Sequence, residues 1–292
     1  MIGVDWGTSS FRAWRFGADG EVRAEVRAER GILRVAAGGF AAVLAEEVAP
    51  WLAAGESRVL LSGMVGSRQG WVEAPYLACP AGAEEIAAGL VAVPFAGAEC
   101  RLVPGLAARD GQGVPEVMRG EETQILGALA GSGPEALFCL PGSHAKWARV
   151  ADGRITGFST FMTGEVFAAL RSGTILGRMM GEGADDEAAF ARGVARAKDP
   201  GGLLHHLFGV RTLGLMEGLE GAASAAYLSG LLIGHELAAV MTGAEEIFVV
   251  GAPAIAARYA TAIGLAGGRA RRIGETAGAA GLALIARRIG WI

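Results

Sequence analysis

Two nine-residue stretches of this chain share one pattern. Trp14-Arg15-Phe16-Gly17-Ala18-Asp19-Gly20-Glu21-Val22 and Trp147-Ala148-Arg149-Val150-Ala151-Asp152-Gly153-Arg154-Ile155 both read W-x-x-x-A-D-G-x-(V/I). Asp-Gly between alternating runs predicts a β-hairpin, because both residues tolerate the left-handed backbone of a tight turn. A loop of small residues precedes each copy, Gly7-Thr8-Ser9-Ser10 in the first and Pro141-Gly142-Ser143-His144 in the second. Before each loop stands a short apolar run, Ile2 to Trp6 and Ala136 to Leu140, that reads as a buried strand. Strand, loop, strand, Asp-Gly turn, strand therefore occurs twice. Such repetition predicts a duplicated domain, with a ligand pinched between two facing loops.

The loops suggest which ligand. A hairpin tip of Gly, Thr and Ser presents backbone N–H groups and hydroxyls to one point, which suits phosphate oxygens. Asp5 lies two residues before Gly7, where a carboxylate can hold Mg²⁺ through water beside those phosphates. In the second loop Gly142 and Ser143 are expected to face Gly7 to Ser10, with His144 and Lys146 adding donors or positive charge.

Bulk properties narrow the class. The 292 residues suffice for two cores, and 52% hydrophobic against 19% charged residues marks a globular chain. A net charge of −4 gives no support for nucleic-acid or membrane-surface binding. Cys79, Cys100 and Cys139 are isolated, which argues for a reducing, cytoplasmic setting and against a disulfide framework or a zinc site. No basic region with an apolar leader is visible at the N-terminus, so no secretory signal is expected. Ala222 to Met241 is apolar, but Ser224, Ser229, His235 and Glu236 interrupt it. It reads as a buried central helix in which Gly230 and Gly234 allow close packing, not as a membrane span.

Other elements follow in order. Glu21 to Ala28 reads as a strand, Phe40 to Leu52 as a helix, Arg58 to Ser62 as a buried strand and Pro80 to Leu90 as a short helix. The loop after Ser62, Gly63-Met64-Val65-Gly66-Ser67-Arg68-Gln69-Gly70-Trp71, lies where α/β proteins place ligand contacts. Arg68 could fork onto a carboxylate, and Trp71 and Tyr76 could wall a small polar ligand; the alternatives are a solvated charge and a core plug. Pro115 is expected to open a helical region carrying Glu121 and Glu122. Those acids are either dipole partners at a helix start or a general base for a sugar hydroxyl. Thr163 is a candidate N-cap for a helix to Leu170. Helices are expected from Asp185 to Lys198 and from Gly201 to Leu213, with His205 and His206 structural and on different sides. Ile247 to Val250 reads as a strand running into Gly251-Ala252-Pro253 and a helix, a flat turn on which adenine or ribose can rest. Arg269 to Ile273 is a last strand, and Glu275 to Ile289 a last helix that packs back on the first domain.

In this order the segments GVDWGTSSFRAWRF, LSGMVGSRQGW, MRGEETQILGAL, LPGSHAKW and STFMTGEVF resemble the 2-dehydro-3-deoxygalactonokinase family. That family belongs to the superfamily of actin, sugar kinases and heat-shock chaperone ATPases. The resemblance runs nearly end to end. It implies an α/β chain of two ribonuclease-H-like (actin-like ATPase) domains with a nucleotide cleft between them. It implies residues 1–117 plus 275–292 for the first domain and 118–274 for the second. It implies ATP and Mg²⁺, with transfer to the 6-hydroxyl of 2-dehydro-3-deoxy-D-galactonate. By position, Asp5 and Gly7, Thr8, Ser9 and Ser10 match the first phosphate loop. Gly142 and Ser143 fall on the second, where Pro-Gly-Ser-His replaces the usual Asp-Gly-Thr. Gly251, Ala252 and Pro253 match the adenosine turn. Glu121, then Glu122, stands near the catalytic acid, beside Asp5 as metal carrier. Arg12, Gly63, Met64, Ser67, Arg68, Trp71 and Tyr76 are assigned to the sugar acid. Partners are thus a sugar acid and ATP, with no nucleic acid or membrane and a homodimer left open. Alternatives are a kinase for another sugar or sugar acid, a non-kinase actin- or chaperone-type ATPase, and a carbohydrate-binding regulator.

Overall fold

The structure, a computed structural model, describes residues 1–182, 186–243 and 246–292. It divides into two compact units. The first comprises Met1–Ala136, Ala148–Ser159 and Glu275–Ile292, and the second Leu137–Trp147 and Thr160–Gly274.

In chain order the elements begin with β1 (Ile2–Trp6), β2 (Phe11–Phe16), β3 (Val22–Ala28), α1 (Phe40–Glu47), α2 (Ala49–Ala53) and β4 (Arg58–Ser62). There follow β5 (Tyr76–Ala78), α3 (Ala83–Ala88), β6 (Val91–Val93), β7 (Glu99–Leu102), β8 (Gly105–Arg109), β9 (Pro115–Met118) and α4 (Glu121–Ala128). The rest are β10 (Glu135–Leu140), β11 (Ala145–Ala151), β12 (Arg154–Phe161), α5 (Thr163–Gly173), α6 (Glu187–Arg196), α7 (Gly202–Glu217), α8 (Gly221–Val240), β13 (Glu246–Val250), α9 (Pro253–Leu265), β14 (Arg269–Ile273) and α10 (Ala277–Arg288).

The repeat in the sequence is a repeat in topology. One sheet runs β3-β2-β1-β4-β7-β6 and another β12-β11-β10-β13-β14. Each starts from a three-strand meander, then adds parallel strands beside its first strand: β4 beside β1 and β7 beside β4, β13 beside β10 and β14 beside β13. The two Asp-Gly turns are not copies in detail. Asp152 and Gly153 both have positive φ, 50° and 72°, as a two-residue hairpin requires. In the first copy only Gly20 is positive and the register shifts between Arg15 and Phe16, so a bulge absorbs the longer loop.

In the first unit the buried alternate residues of β1 and β2 (Ile2, Val4, Trp6, Phe11, Ala13) meet Leu44 and Trp51. The helix expected over Phe40 to Leu52 is broken at Val48, because Pro50 has no N–H to bond the preceding turn. Pro115 opens no helix. Pro115–Met118 is a strand antiparallel to β8, and the helix begins only after Gly120, whose φ of 106° ends the strand. Residues 118–136 belong to the first unit, not the second as expected, because α4 packs on α10. That packing needs glycine: a Cβ on Gly127 would stand 1.9 Å from Ala277 O, and one on Gly281 1.8 Å from Thr123 O.

In the second unit α8 is the buried helix that the apolar run predicts, and its Leu228, Leu231 and Leu237 are core residues. Gly230 lets α6 approach, since a Cβ there would lie 2.1 Å from Phe190 O. Among the described residues α8 is also the helix long and apolar enough to cross a membrane. His206 is buried against His235 and Pro200 O, and His205 is exposed. The helix expected from Asp185 starts at a residue outside the described ones; Glu187–Arg196 is helical.

Candidate active site

Two parallel strands of the first unit end side by side, with Asp5 of β1 opposite Ser62 of β4. Their following loops, Gly7–Ser10 and Gly63–Trp71, therefore leave the sheet together. Gly63 has φ 96°, and a Cβ on it would stand 3.1 Å from Asp5 Oδ1 and 2.8 Å from Trp6 O. Only glycine fits there. Gly120 approaches the same point, its own Cβ position lying 3.1 Å from Gly63 Cα. The first turn of α4 is thereby set against Asp5.

That turn surrounds Asp5 with polar groups. Its carboxyl is pushed up to about 6: burial, the largest influence, and nearby Glu121 raise it, while Arg12 and a hydrogen bond with Gln124 lower it. Glu121 is half-buried, and its Oε2 accepts the Arg119 backbone N–H at 3.0 Å. Glu122 is 0% exposed. It accepts from Gly120 N at 2.7 Å and from Thr123 Oγ1 at 3.1 Å, and Thr123 bonds Ser62 in turn. Burial, then the Glu121 charge, pushes Glu122 up to about 8. Glu122 is thus a buried brace of the helix start and not an outward-facing carboxylate.

The other expected residues separate into groups. The Gly7 N–H donates to Ser10 O, and Gly7 O and Thr8 O accept from Ile32 and Leu33. Gly31 packs under the tip, so what the loop turns outward is Thr8, Ser9 and Ser10, all exposed. Arg12 is paired with Glu275 at 3.1 Å and holds its charge near Asp5. Arg68 does not join the cluster: its side chain is 87% exposed and, among the described residues, pairs only with Glu73, at 3.5 Å. Trp71 stacks on Phe40 and meets Phe95 edge-on, and Met64 packs on the same core, so both serve the interior. Tyr76 is part-exposed beneath the Arg119 guanidinium, 4.5 Å from ring centre to Cζ.

In the second unit Gly142, Ser143 and His144 are exposed at the loop. Gly164 at the start of α5 fits under it because it lacks a Cβ, which would lie 2.4 Å from Gly142 O. Ser143 O accepts from Glu165 N, and His144 Nε2 bonds the Glu165 carboxylate. Lys146 is not at the loop surface but buried on β11, donating to Thr160 Oγ1 at 2.9 Å. Thr163 is the first helical residue of α5 and caps nothing; its hydroxyl donates to Glu236 instead. A cavity of about 410 Å³ opens beside Gly142 and Gly164, walled by Phe167, Ile255, Arg258 and Tyr259. Ala252 and Pro253 begin α9, which supplies those last three walls.

Glu236 supports that cavity from below. Trp147 Nε1 donates to it at 2.6 Å and Tyr259 OH at 2.8 Å, with the Thr163 hydroxyl as third donor. Burial raises this carboxyl and its three donors lower it. In the sequence Glu236 stands only as an interruption of an apolar helix. A single acid in such a run is itself a signal, because a buried carboxylate needs partners. Gln124, Ser62 and Arg119 also escaped, having no local pattern to mark them. Among the described residues no three His, Cys, Asp or Glu side chains group as a metal cage.

The 2-keto-3-deoxy-galactonokinase family matches residues 5–285 of the chain. A protein of Rhizobium meliloti (strain 1021) named a probable 2-dehydro-3-deoxygalactonokinase is 42% identical, over 98% of this chain and 96% of its own. The 2-dehydro-3-deoxygalactonokinase of Escherichia coli (strain K12) is 34% identical over 99% and 98%. The crystal structure of a Sinorhizobium meliloti protein assigned the same name superposes with a TM-score of 0.91 at 40% identity, covering 100% of this chain and 99% of that one. An activator of 2-hydroxyisocaproyl-CoA dehydratase from Clostridium difficile shares the fold at 11% identity, with a TM-score of 0.53 over 99% and 95% of the chains. The fold is the mixed α/β fold of actin-like ATPases and sugar kinases. The chain belongs to the 2-keto-3-deoxy-galactonokinase family, and it is a carbohydrate kinase.

Proposed function

We propose that this enzyme transfers the γ-phosphoryl group of ATP to the 6-hydroxyl of 2-dehydro-3-deoxy-D-galactonate, in the cytoplasm. Family membership supports the substrate. The observation that carries the chemistry is the gathering of Asp5, Glu121 and Gln124 where Gly63 and Gly120 leave no side chain of their own.

Phosphoryl transfer asks a protein mainly for positioning and charge stabilisation. Glu121 is the carboxylate placed to accept the proton of the attacking hydroxyl; Glu122 is occupied inside. Thr8, Ser9 and Ser10 on the first loop, and Gly142 and Ser143 on the second, offer donors to phosphate oxygens. The cavity beside Gly142 has the size and mixed apolar and polar walls of a nucleotide-base site, and we assign adenosine to it; Gly251, Ala252 and Pro253 are not among its walls but lead into the helix that supplies Ile255, Arg258 and Tyr259.

Asp5 with Glu121 nearby fits Mg²⁺, which keeps most of its waters and takes one or two carboxylates beside substrate phosphates. The ion would spread the negative charge that builds on those oxygens. Asp5 would hold it, and Gln124 and Arg12 would orient Asp5.

The test couples ADP release to a panel of sugar acids with the wild-type protein and Asp5→Asn. Acceptor-dependent ADP release, greatest with 2-dehydro-3-deoxygalactonate and lost in a folded Asp5→Asn variant, is the expected result. Full activity in that variant would remove Asp5 from the mechanism.

A further inference from the structure

We propose that Arg119 and Ser67 form the subsite that binds the acceptor's carboxylate. This rests on the acceptor being a sugar acid.

Arg119 is the residue before the Gly120 turn, so its backbone is fixed beside Glu121. Its side chain runs back under the Gly63–Trp71 loop and is only 7% exposed. A guanidinium has five N–H donors and is always charged. Here Nη2 donates to Ala74 O at 2.7 Å, and the plane lies over the Tyr76 ring. Nε and Nη1 have no hydrogen-bond partner, and Arg119 has no ion pair among the described residues. Ser67 Oγ is likewise buried without a partner. A Cβ on Gly66 would stand 2.9 Å from Nη1, so Gly66 is what lets the loop close to the guanidinium and brings Ser67 with it.

A buried cation without a counter-charge is unfavourable unless something of opposite charge joins it. Arg12, which lies near Asp5, is already paired with Glu275, and Arg68 lies outside the cluster with its side chain in solvent. One unneutralised guanidinium, with one unpaired hydroxyl on the loop that closes on it, matches a single carboxylate. It matches a polyphosphate poorly, since that carries several charges. The position also suits the substrate. Arg119 and Glu121 flank Gly120 on the same turn, so a short chain anchored by its carboxylate at Arg119 can present a hydroxyl towards Glu121. Neutral sugars would leave the guanidinium uncompensated, so the subsite selects acids.

The test is calorimetric binding, without ATP, of 2-dehydro-3-deoxygalactonate and its C1 amide to the wild-type protein, Arg119→Met, Arg119→Lys and Ser67→Ala. Charge-assisted hydrogen bonds of this kind predict an amide roughly 10- to 100-fold weaker than the acid on the wild type. Arg119→Met should weaken the acid by the same factor and abolish the acid–amide gap. Arg119→Lys should fall between, Ser67→Ala should lose less, and ATP affinity should not move. Equal binding of acid and amide by the wild type, or an unchanged gap in Arg119→Met, overturns the proposal. Should Arg119→Met fail to fold, the wild-type comparison and Arg119→Lys decide. ADP release is measured separately: acid that binds with the predicted gap but is not phosphorylated sinks the proposed acceptor reaction and leaves the subsite standing.

Discussion

Glu121 and Glu122, adjacent in sequence, accept hydrogen bonds from two consecutive backbone N–H groups, those of Arg119 and Gly120, yet only Glu122 is fully buried. The helix start thus holds one carboxylate inside and leaves its neighbour near Asp5, where the proposed mechanism uses it as the base.

Glu121→Gln should therefore lower kcat by about 10²- to 10⁴-fold, the usual worth of a general base. Affinity for ATP and the melting temperature should stay near wild type. Steady-state kinetics with both substrates varied checks it.

Glu122 should report through stability and pH. Its folded pKa of about 8 stands above the ordinary 4.5. A carboxyl raised in this way favours the folded state below pH 4.5. That contribution is lost as pH rises towards 8 and changes no further beyond. Glu122→Gln does not titrate and can still accept from Gly120 N–H. Its stability relative to wild type should grow between pH 4.5 and 8, by at most about 5 kcal/mol, then level off. Urea unfolding across that range would show a flat difference if Glu122 were an ordinary carboxylate.

Glu236→Leu should cost about 3 kcal/mol or more, because the donors of Trp147, Thr163 and Tyr259 lose their acceptor. Thr163 and Tyr259 also line the cavity, so KM for ATP should rise in whatever fraction folds. Glu236→Gln should lie between, as read by thermal melts and nucleotide titration.

Gly281→Ala drives a methyl into Thr123 O, so α10 and α4 must separate. Overpacking of this kind costs about 1–3 kcal/mol. Because α4 carries Glu121, kcat should fall with stability. Arg68→Ala, by contrast, should change kcat/KM less than about twofold, since the side chain is exposed and only loosely paired.

Much of this architecture is legible in the chain. The meanders show through period-two alternation and the repeated Ala-Asp-Gly, and α8 through its apolar run with Gly230 and Gly234 at the contact. What was missed depends on distant partners. Pro115 looks like a helix opener, but β8 pairs with it. Lys146 looks like a loop cation, but β11 already begins at Ala145 and is buried on both faces there, so Lys146 is enclosed and donates to Thr160 of β12. Arg119 has no local signature, because its burial comes from Ala74 and Tyr76, over forty residues earlier. The hairpin that carries Asp5 and the first loop was legible, since strand, turn and strand are all local.

The most direct test of the whole account follows the phosphorus itself. Purified enzyme is incubated with ATP, Mg²⁺ and 2-dehydro-3-deoxygalactonate, and ³¹P and ¹³C NMR identify the product. One ADP for each molecule phosphorylated at C6 is the predicted result. ADP formed at the same rate without acceptor, or phosphate on another carbon, would contradict it.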